Sequence, residues 1–205
     1  MTIERPLSRD DEFRVHGDRV RFLEIPEHRF VMVDGGGPPA PEAFAARFPA
    51  LYAFAYGLRF ALKARGIEHK VGPSEGLWWT TDGVTDLDAV FTPGERSTWR
   101  WTLMIALPEE PTDEELAARL EDARLRVVPE IAASLRVEVF AEGPAAQVMH
   151  IGPYSAERPT IERLHHEIAE VGFHPSGRHH ELYLGNPQRA APDRLRTLLR
   201  MPIAR

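Results

Sequence analysis

The sequence predicts an α+β protein in which a strand-helix-strand-strand module occurs twice. Strand-like segments alternate with amphipathic helical segments, and both halves of the chain follow the same order of elements. The 205 residues suffice for a compact unit with its own core. Similar segments that recur at a long interval indicate a tandem duplication. We therefore expect antiparallel sheets with helices on one face, arranged around a central ligand cleft.

The first repeat is expected at about 22–108, after an N-terminal arm at 1–21 that is rich in polar residues. Its elements are a strand at 30–34, a glycine- and proline-rich turn at 35–39, a helix from Pro41 to Gly66, and aromatic-rich strands at 75–80 and 99–107. Apolar residues at three- and four-residue intervals identify the helix. Pro49 lies inside it and should kink the helix or split it in two. The glycines of the turn lack the spacing of a phosphate-binding loop.

The second repeat is expected at about 135–205, after a helix that begins with a capping box at Thr112 and Glu115. Its elements are strands at 135–140 and 146–151, a helix from about Pro159 to Gly172, a strand around Glu181 and a closing strand near 200–203. Alternation of apolar and polar residues identifies the first of these strands as half-buried. The glycine that follows the helix is typical of a helix C-terminus.

The composition excludes several classes of protein. A formal net charge of −6 argues against a nucleic-acid partner, because phosphate binding needs a basic face. The chain has no cysteine, so a disulfide, a thiolate metal site and a cysteine nucleophile are excluded. No apolar run is long enough to span a membrane, and the start has no signal pattern, so we expect a soluble, cytoplasmic protein. The histidines lack metal-binding spacing, and we expect neither a metal nor a cofactor.

Glu181 is the strongest candidate for a functional residue. It shares one strand face with His179 and Tyr183, because side chains two apart on a strand point the same way. We expect the opposite face, with Leu182, to pack on the helices, which would aim Glu181 and Tyr183 at the cleft. The carboxylate could pair with a cationic ligand or act as a general base on water. A structural carboxylate held by one of the many arginines is the alternative.

Four aromatic residues are candidates for the walls of a ligand pocket. They are Trp79 and Trp101 on the aromatic-rich strands, Tyr154 at the end of a strand, and Tyr56 on the long helix. A large ring offers a flat apolar wall with a polar edge. The sequence does not decide whether Trp78 or Trp79 faces the cleft, and packing in the core is the alternative role for each ring.

Several segments in order along the chain resemble the GyrI-like (gyrase-inhibitor-like) small-molecule-binding family. They are residues 75–79 (Glu-Gly-Leu-Trp-Trp), 101–105, 150–154 (His-Ile-Gly-Pro-Tyr), 179–184 (His-His-Glu-Leu-Tyr-Leu) and 198–203. The tryptophan segments point to the stand-alone branch of the family. The resemblance implies a duplicated fold with sheets that line a cleft for amphipathic or planar ligands.

Members of this family are of three functional kinds. Some are drug-sensing regulators fused to DNA-binding helices, some protect DNA gyrase, and some resemble hydrolases that open the cyclopropane ring of DNA-alkylating natural products. We expect no room for a DNA-binding helix-turn-helix before the first strand, which disfavours the first kind. We expect a hydrolase in which Glu181 activates water, with a non-catalytic xenobiotic-binding or gyrase-protecting module as the alternative.

Overall fold

The structure of the chain, a computed structural model, describes residues 2–15, 17–37, 41–80, 99–185, 187 and 189–205. Pro38 and Pro39 of the predicted turn lie outside these residues. The strands are β1 (Arg21–Gly36), β2 (Ser74–Thr80), β3 (Trp99–Ala106), β4 (Arg136–Ile151), β5 (His174–Pro175), β6 (His179–Tyr183) and β7 (Arg196–Ala204). The helices are α1 (Arg9–Glu12), α2 (Pro41–Ala45), α3 (Phe48–Ala64), α4 (Asp113–Arg124), α5 (Pro129–Ser134) and α6 (Arg158–Glu170). Short 3₁₀ turns lie at Tyr154–Ala156 and Pro192–Arg194.

The chain divides into two compact units built from alternating segments. Unit 1 contains residues 1–27, 77–96 and 141–205, and unit 2 contains residues 28–76 and 97–140. In both units helices accompany antiparallel strand pairs, β4–β7, β5–β7 and β6–β7 in unit 1 and β1–β3 in unit 2. The predicted mixture of helices with antiparallel strands is confirmed. The tandem duplication, its boundaries and the central cleft stay predictions.

The core of unit 1 forms where helix α6 packs on strands β4 and β7. One face of α6 supplies Ile161, Leu164 and Ile168, all at most 3% exposed. The strands contribute Ala146, Val148, Leu199, Met201 and Ile203. Burying a leucine or isoleucine side chain stabilises a fold by about 1.5–3 kcal/mol. This contact therefore fixes α6, and the residues just before it, against the strands.

In unit 2, a glycine and a tryptophan lie opposite each other on neighbouring strands. β1 pairs with β3 in a register that sets Gly35 opposite Trp101. A Cβ atom at position 35 would collide with the Trp101 indole. The absence of a side chain at Gly35 therefore lets the fully buried indole occupy the space next to its Cα.

The predicted long helix of unit 2 is split, as Pro49 indicated. α2 ends at Ala45 and α3 begins at Phe48, with Pro49 in its first turn. A proline is favourable there because the first amide groups of a helix have no partner within it. The buried face of α3 includes Leu51, Phe54, Leu58 and Leu62.

Two strands of the structure differ from the sequence prediction. β1 begins at Arg21 rather than near residue 30. β4 runs unbroken from Arg136 to Ile151, where a turn was expected between two strands. Gly143 adopts a φ of 72° inside β4, so the glycine absorbs the irregularity without ending the strand.

The N-terminal segment packs within unit 1. The carboxylate of Glu12 in α1 is fully buried, and Arg200 Nη2 lies 3.6 Å from it. The backbone oxygen of Glu12 also accepts a hydrogen bond of 2.6 Å from Gln147. Among the described residues, none of the helices is both long and apolar enough to cross a membrane.

Candidate functional site

Strand β6 presents Glu181 between two side chains of its own strand face. The Tyr183 hydroxyl donates a hydrogen bond of 2.8 Å to Glu181 Oε2. His179 Nε2 lies 3.4 Å from Glu181 Oε1, and the Glu181 side chain is 14% exposed. The alternation read from the sequence thus brings Glu181 and Tyr183 into direct contact, with a polar group beside each carboxylate oxygen.

The face of β6 that carries Glu181 is on the same side of the strands as helix α6. β6 pairs with β7 so that Glu181 lies opposite Leu199 and Tyr183 opposite Thr197. Leu199 belongs to the core cluster under α6.

Among the described residues, the N-terminal segment packs on the opposite face of β6, which corrects the expectation that helices would do so. Leu182 packs with Met149 and Leu198, and Phe13 and Val15 of the N-terminal segment cover this cluster. The N-terminal segment therefore takes the place that the sequence analysis assigned to helices.

A second carboxyl group, Glu157, belongs to the same site. It is the residue before helix α6 and is only 5% exposed. Burial, together with the negative charge of Glu181, raises the pKa of Glu157 to about 9, although a hydrogen bond with Thr197 acts in the opposite direction. Glu157 is therefore a neutral carboxylic acid at physiological pH.

The sequence analysis did not single out Glu157. The local signal is an acidic residue two positions before Pro159 at the start of an amphipathic helix, and three positions after Tyr154. That pattern usually means only a favourable charge at a helix N-terminus. Its burial beside Glu181 is a product of tertiary packing.

Two phenols lie beside the carboxyl groups. The rings of Tyr154 and Tyr183 meet edge to face with centroids 5.8 Å apart, and Tyr154 is 41% exposed. Burial first, and then the nearby carboxylates, raise the pKa of Tyr154 and Tyr183 above the ordinary value for a phenol. Both hydroxyls therefore stay protonated at physiological pH and remain hydrogen-bond donors.

The indole that joins this group is Trp78. It is 8% exposed, and its hydrogen bond to the Tyr183 hydroxyl lowers the pKa of that phenol, against the larger effects of burial and of Glu181. Alternation along β2 turns Trp79 to the other face, where the Arg178 guanidinium lies 4.0 Å from the ring centroid. A ligand-binding role for Trp79 stays a prediction.

Trp101 and Tyr56 belong to unit 2. Trp101 is fully buried, and its ring centroid lies 5.1 Å from that of Phe44. The Arg47 guanidinium lies 4.7 Å from the centroid of the Trp101 ring. Tyr56 is 44% exposed on α3, and its ring centroid lies 6.0 Å from that of Tyr52. Their proposed contacts with a ligand stay predictions.

No three histidine, aspartate or glutamate side chains converge as a metal site anywhere in the part of the chain that the structure describes. The chemistry that this site offers is that of two carboxyl groups, two phenols and nearby imidazoles. A neutral acid next to a carboxylate is an arrangement that can both donate and accept a proton.

Comparison with known proteins places the chain in a family. The profile of the GyrI-like small molecule binding domain matches residues 19–204. The chain belongs to the GyrI-like family. Its members include domains that bind small molecules, as the family description states. A search of curated proteins gave no match.

Three solved structures from Listeria innocua resemble this GyrI-like chain over its whole length. An uncharacterized conserved protein is 29% identical with a TM-score of 0.80, and it covers 99% of this chain and 100% of its own. Two structures described as hydrolases are 28% and 27% identical, with TM-scores of 0.76 and 0.78 and the same coverage. The likeness to hydrolases spans the GyrI-like domain rather than an added segment.

Proposed function

We propose that this GyrI-like protein binds amphipathic or planar small molecules and hydrolyses cyclopropane-bearing DNA-alkylating toxins. The family supports binding of a small molecule. The two Listeria innocua relatives described as hydrolases support catalysis, since they match the chain from end to end. The narrower choice of substrate rests on the resemblance of the tryptophan segments and of the strand that carries Glu181 to the stand-alone branch of the family.

The observation that carries the proposal is the pair formed by Glu157 and Glu181. Glu157 keeps its proton because it is buried beside another carboxylate, with a pKa of about 9. When two neighbouring carboxyl groups differ in pKa, the protonated one can act as general acid and the other as general base in hydrolysis. Water addition to a strained ring needs both, since one proton leaves the water and another reaches the departing electron pair.

The proposed reaction uses Glu181 as base and Glu157 as acid. Glu181 takes a proton from water while the water oxygen forms a bond to a methylene carbon of the cyclopropane. The carbon–carbon bond of the ring breaks, and its electron pair moves through the conjugated system to a carbonyl oxygen. That oxygen takes the proton of Glu157, and a proton transfer from Glu181 to Glu157 restores the starting state. The product is the substrate plus one water.

The two phenols would orient the reactants. Tyr183 already donates to Glu181 Oε2, which leaves other lone pairs of the carboxylate for the water. Tyr154, at 41% exposure, can reach a ligand carbonyl with its hydroxyl. Fixed donors at developing charge need no reorganisation during the reaction, which is the usual source of electrostatic catalysis.

The second candidate is a non-catalytic binding protein. A carboxylate next to two aromatic rings is also suited to an amphipathic cation, which gains from both the charge and the ring faces. The observation that favours this candidate is the contact of Glu181 with Tyr183 and the edge-to-face packing of Tyr183 on Tyr154. A gyrase-protecting role would need a protein interface and is tested by pull-down with purified gyrase.

Mass spectrometry of a spirocyclopropane DNA alkylator tests the proposal. The compound is incubated with the wild-type protein, with Glu181→Gln, and with Glu162→Gln, whose side chain is 52% exposed and paired with Arg158. We expect a product heavier by one water, over many turnovers, from the wild type and Glu162→Gln but not from Glu181→Gln. Unchanged compound in every tube, with binding detected by tryptophan fluorescence, would favour the binding protein.

A further inference from the structure

Three imidazole nitrogens near Glu181 are buried and have no hydrogen-bond partner among the described residues. They are Nδ1 and Nε2 of His179 and Nε2 of His165. His179 is only 4% exposed, so neither of its nitrogens is satisfied by bulk solvent. A buried polar group without a partner costs about 1–3 kcal/mol. Such a cluster requires an explanation, because buried polar groups in proteins are nearly always paired.

Of the two histidines, His179 contacts Glu181 and His165 neighbours His179. His179 shares a strand face with Glu181, and its Nε2 is 3.4 Å from Glu181 Oε1. His165 is on α6, next to Leu164, which packs into the core between this helix and the strands. His165 is close enough to His179 for a charge there to act on it.

The His165 ring is neutral at physiological pH. Burial, and then the neighbouring His179, lower the pKa of His165 to about 4. A neutral imidazole has one nitrogen that donates and one that accepts, so two neutral rings can join in a directional chain. Besides Glu181, the other titratable groups at this site are Glu157, Tyr154 and Tyr183. All three hold their protons at neutral pH, because burial and nearby carboxylates raise their pKa values.

We infer that His165, His179 and Glu181 form a hydrogen-bonded chain in which His179 is a positioning residue for the carboxylate. His165 Nε2–H donates to His179 Nδ1, and His179 Nε2–H donates to Glu181 Oε1. This one arrangement accounts for all three buried nitrogens. It requires either that the 3.4 Å contact between His179 Nε2 and Glu181 Oε1 shortens, or that an ordered water bridges two of the hydrogen-bonded groups.

The consequence concerns the direction of the Glu181 lone pairs. Tyr183 binds Oε2 and His179 binds Oε1, so the carboxylate is held from both sides in one orientation. A base that is held in this way presents the same lone pair to a water in every turnover, as an oriented imidazole does in a catalytic triad. The catalytic part of this inference rests on the proposed function, whereas the hydrogen-bonded chain does not.

Nitrogen-15 spectroscopy of the histidine rings tests the chain directly. We expect His179 and His165 both as Nε2–H tautomers near neutral pH, with His179 Nδ1 as an acceptor. In His165→Leu the shift of His179 Nδ1 should move toward that of a free acceptor, while His165→Gln, which keeps an amide donor, should preserve it. The control is His166→Gln on the same helix, whose side chain is 71% exposed. A His179 Nδ1–H tautomer, or an unchanged Nδ1 shift in His165→Leu, would overturn the chain.

Steady-state kinetics tests the positioning role. His179→Leu should lower kcat by at least about tenfold with little change in KM, since only the base is disturbed. His179→Gln keeps an N–H donor and should recover most of this loss. If the wild type turns over a cyclopropane substrate and His179→Leu matches its kcat, the positioning role is wrong. If the wild type has no turnover, the proposed function is wrong. The tautomer measurement still shows whether His165, His179 and Glu181 are joined by hydrogen bonds.

Discussion

Glu157 and Glu181 lie within one unit, near enough that the charge of Glu181 helps to raise the pKa of Glu157. Neither is close to the other in the sequence, and different elements hold them. Glu157 precedes helix α6, whereas Glu181 lies in the middle of strand β6. Packing of α6 on the strands brings them together, so the same core that stabilises unit 1 also creates the acid and base pair.

The first prediction concerns the effect of Glu157 on stability. Its folded pKa of about 9 lies above the ordinary value of 4.5, so the folded state binds the proton more tightly. The stability that this proton contributes is complete below about pH 4.5 and is lost as pH rises toward 9. Glu157→Gln should therefore equal the wild type near pH 4 and be more stable by at least about 1 kcal/mol near pH 9. Urea unfolding at both pH values measures the difference, and Glu162→Gln is the control.

The second prediction concerns the buried ion pairs around Glu142. His180 Nδ1 lies 3.1 Å and Arg200 Nη1 2.9 Å from its oxygens, and all three side chains are at most 2% exposed. Burial acts to raise the pKa of Glu142, but the charges and hydrogen bonds of His180 and Arg200 outweigh it and lower the pKa to about 2. Glu142→Gln should destabilise the protein by roughly 3–5 kcal/mol at neutral pH, because it leaves buried charge uncompensated.

The pH dependence of this effect has a defined sign. A lowered pKa means that the Glu142 carboxylate stabilises the fold above about pH 4.5, and this contribution is lost as pH falls toward 2. The penalty of Glu142→Gln should therefore shrink in acid. Glu138→Gln is the matched control, since its half-exposed carboxylate pairs with Arg136 and should contribute at most about 1 kcal/mol. An equal loss in both variants would contradict the buried network.

The third prediction concerns Gly35 and Trp101. Gly35→Ala forces the buried indole to move and should cost about 1–3 kcal/mol. Gly36→Ala is the control, because its nearest contact is the flexible end of the Arg100 side chain at 3.3 Å. Free energies of unfolding, with tryptophan fluorescence as the signal, compare the two variants. Similar small losses of unfolding free energy in both variants would show that the position of the Trp101 indole does not require a glycine at position 35.

The fourth prediction concerns the hydroxyl of Tyr183. Tyr183→Phe removes the 2.8 Å hydrogen bond to Glu181 while it keeps the ring. A hydrogen bond to a charged group contributes about 1.5–3 kcal/mol, so kcat on a cyclopropane substrate should fall by roughly ten- to a hundredfold. Tyr52→Phe on α3 is the control for the loss of a phenol. An unchanged kcat in Tyr183→Phe would show that the Tyr183 hydroxyl has no role in the reaction.

Local patterns in the sequence predicted part of the fold and part of the candidate site. Alternation along β6 predicted that Glu181 and Tyr183 share a face, and their hydroxyl–carboxylate bond of 2.8 Å is the direct result. The split of the long helix at Pro49 followed from the missing amide hydrogen of proline. These predictions depend on backbone geometry over a few residues, and that geometry does not require knowledge of the rest of the fold.

Features that depend on contacts between residues distant in the sequence could not be predicted from local patterns. Glu157 became a candidate only through its burial beside Glu181. The choice of Trp78 over Trp79 as the partner of Tyr183 depends on which face of β2 turns toward β6. Alternation along β6 could not tell what covers the face of Leu182, which was assigned to helices, whereas Phe13 and Val15 of the N-terminal segment cover it.

The central claim is that Glu157 is a neutral acid beside Glu181, and carbon-13 spectroscopy of the glutamate carboxyl groups tests it most directly. The signal of Glu157 should be that of a protonated carboxyl at neutral pH and should titrate near 9. In Glu181→Gln the pKa of Glu157 should fall, because the neighbouring negative charge is gone, but it should stay above the ordinary value since the side chain is still buried. A Glu157 signal that titrates near 4.5 in the wild type would contradict the acid and base pair, and with it the proposed mechanism.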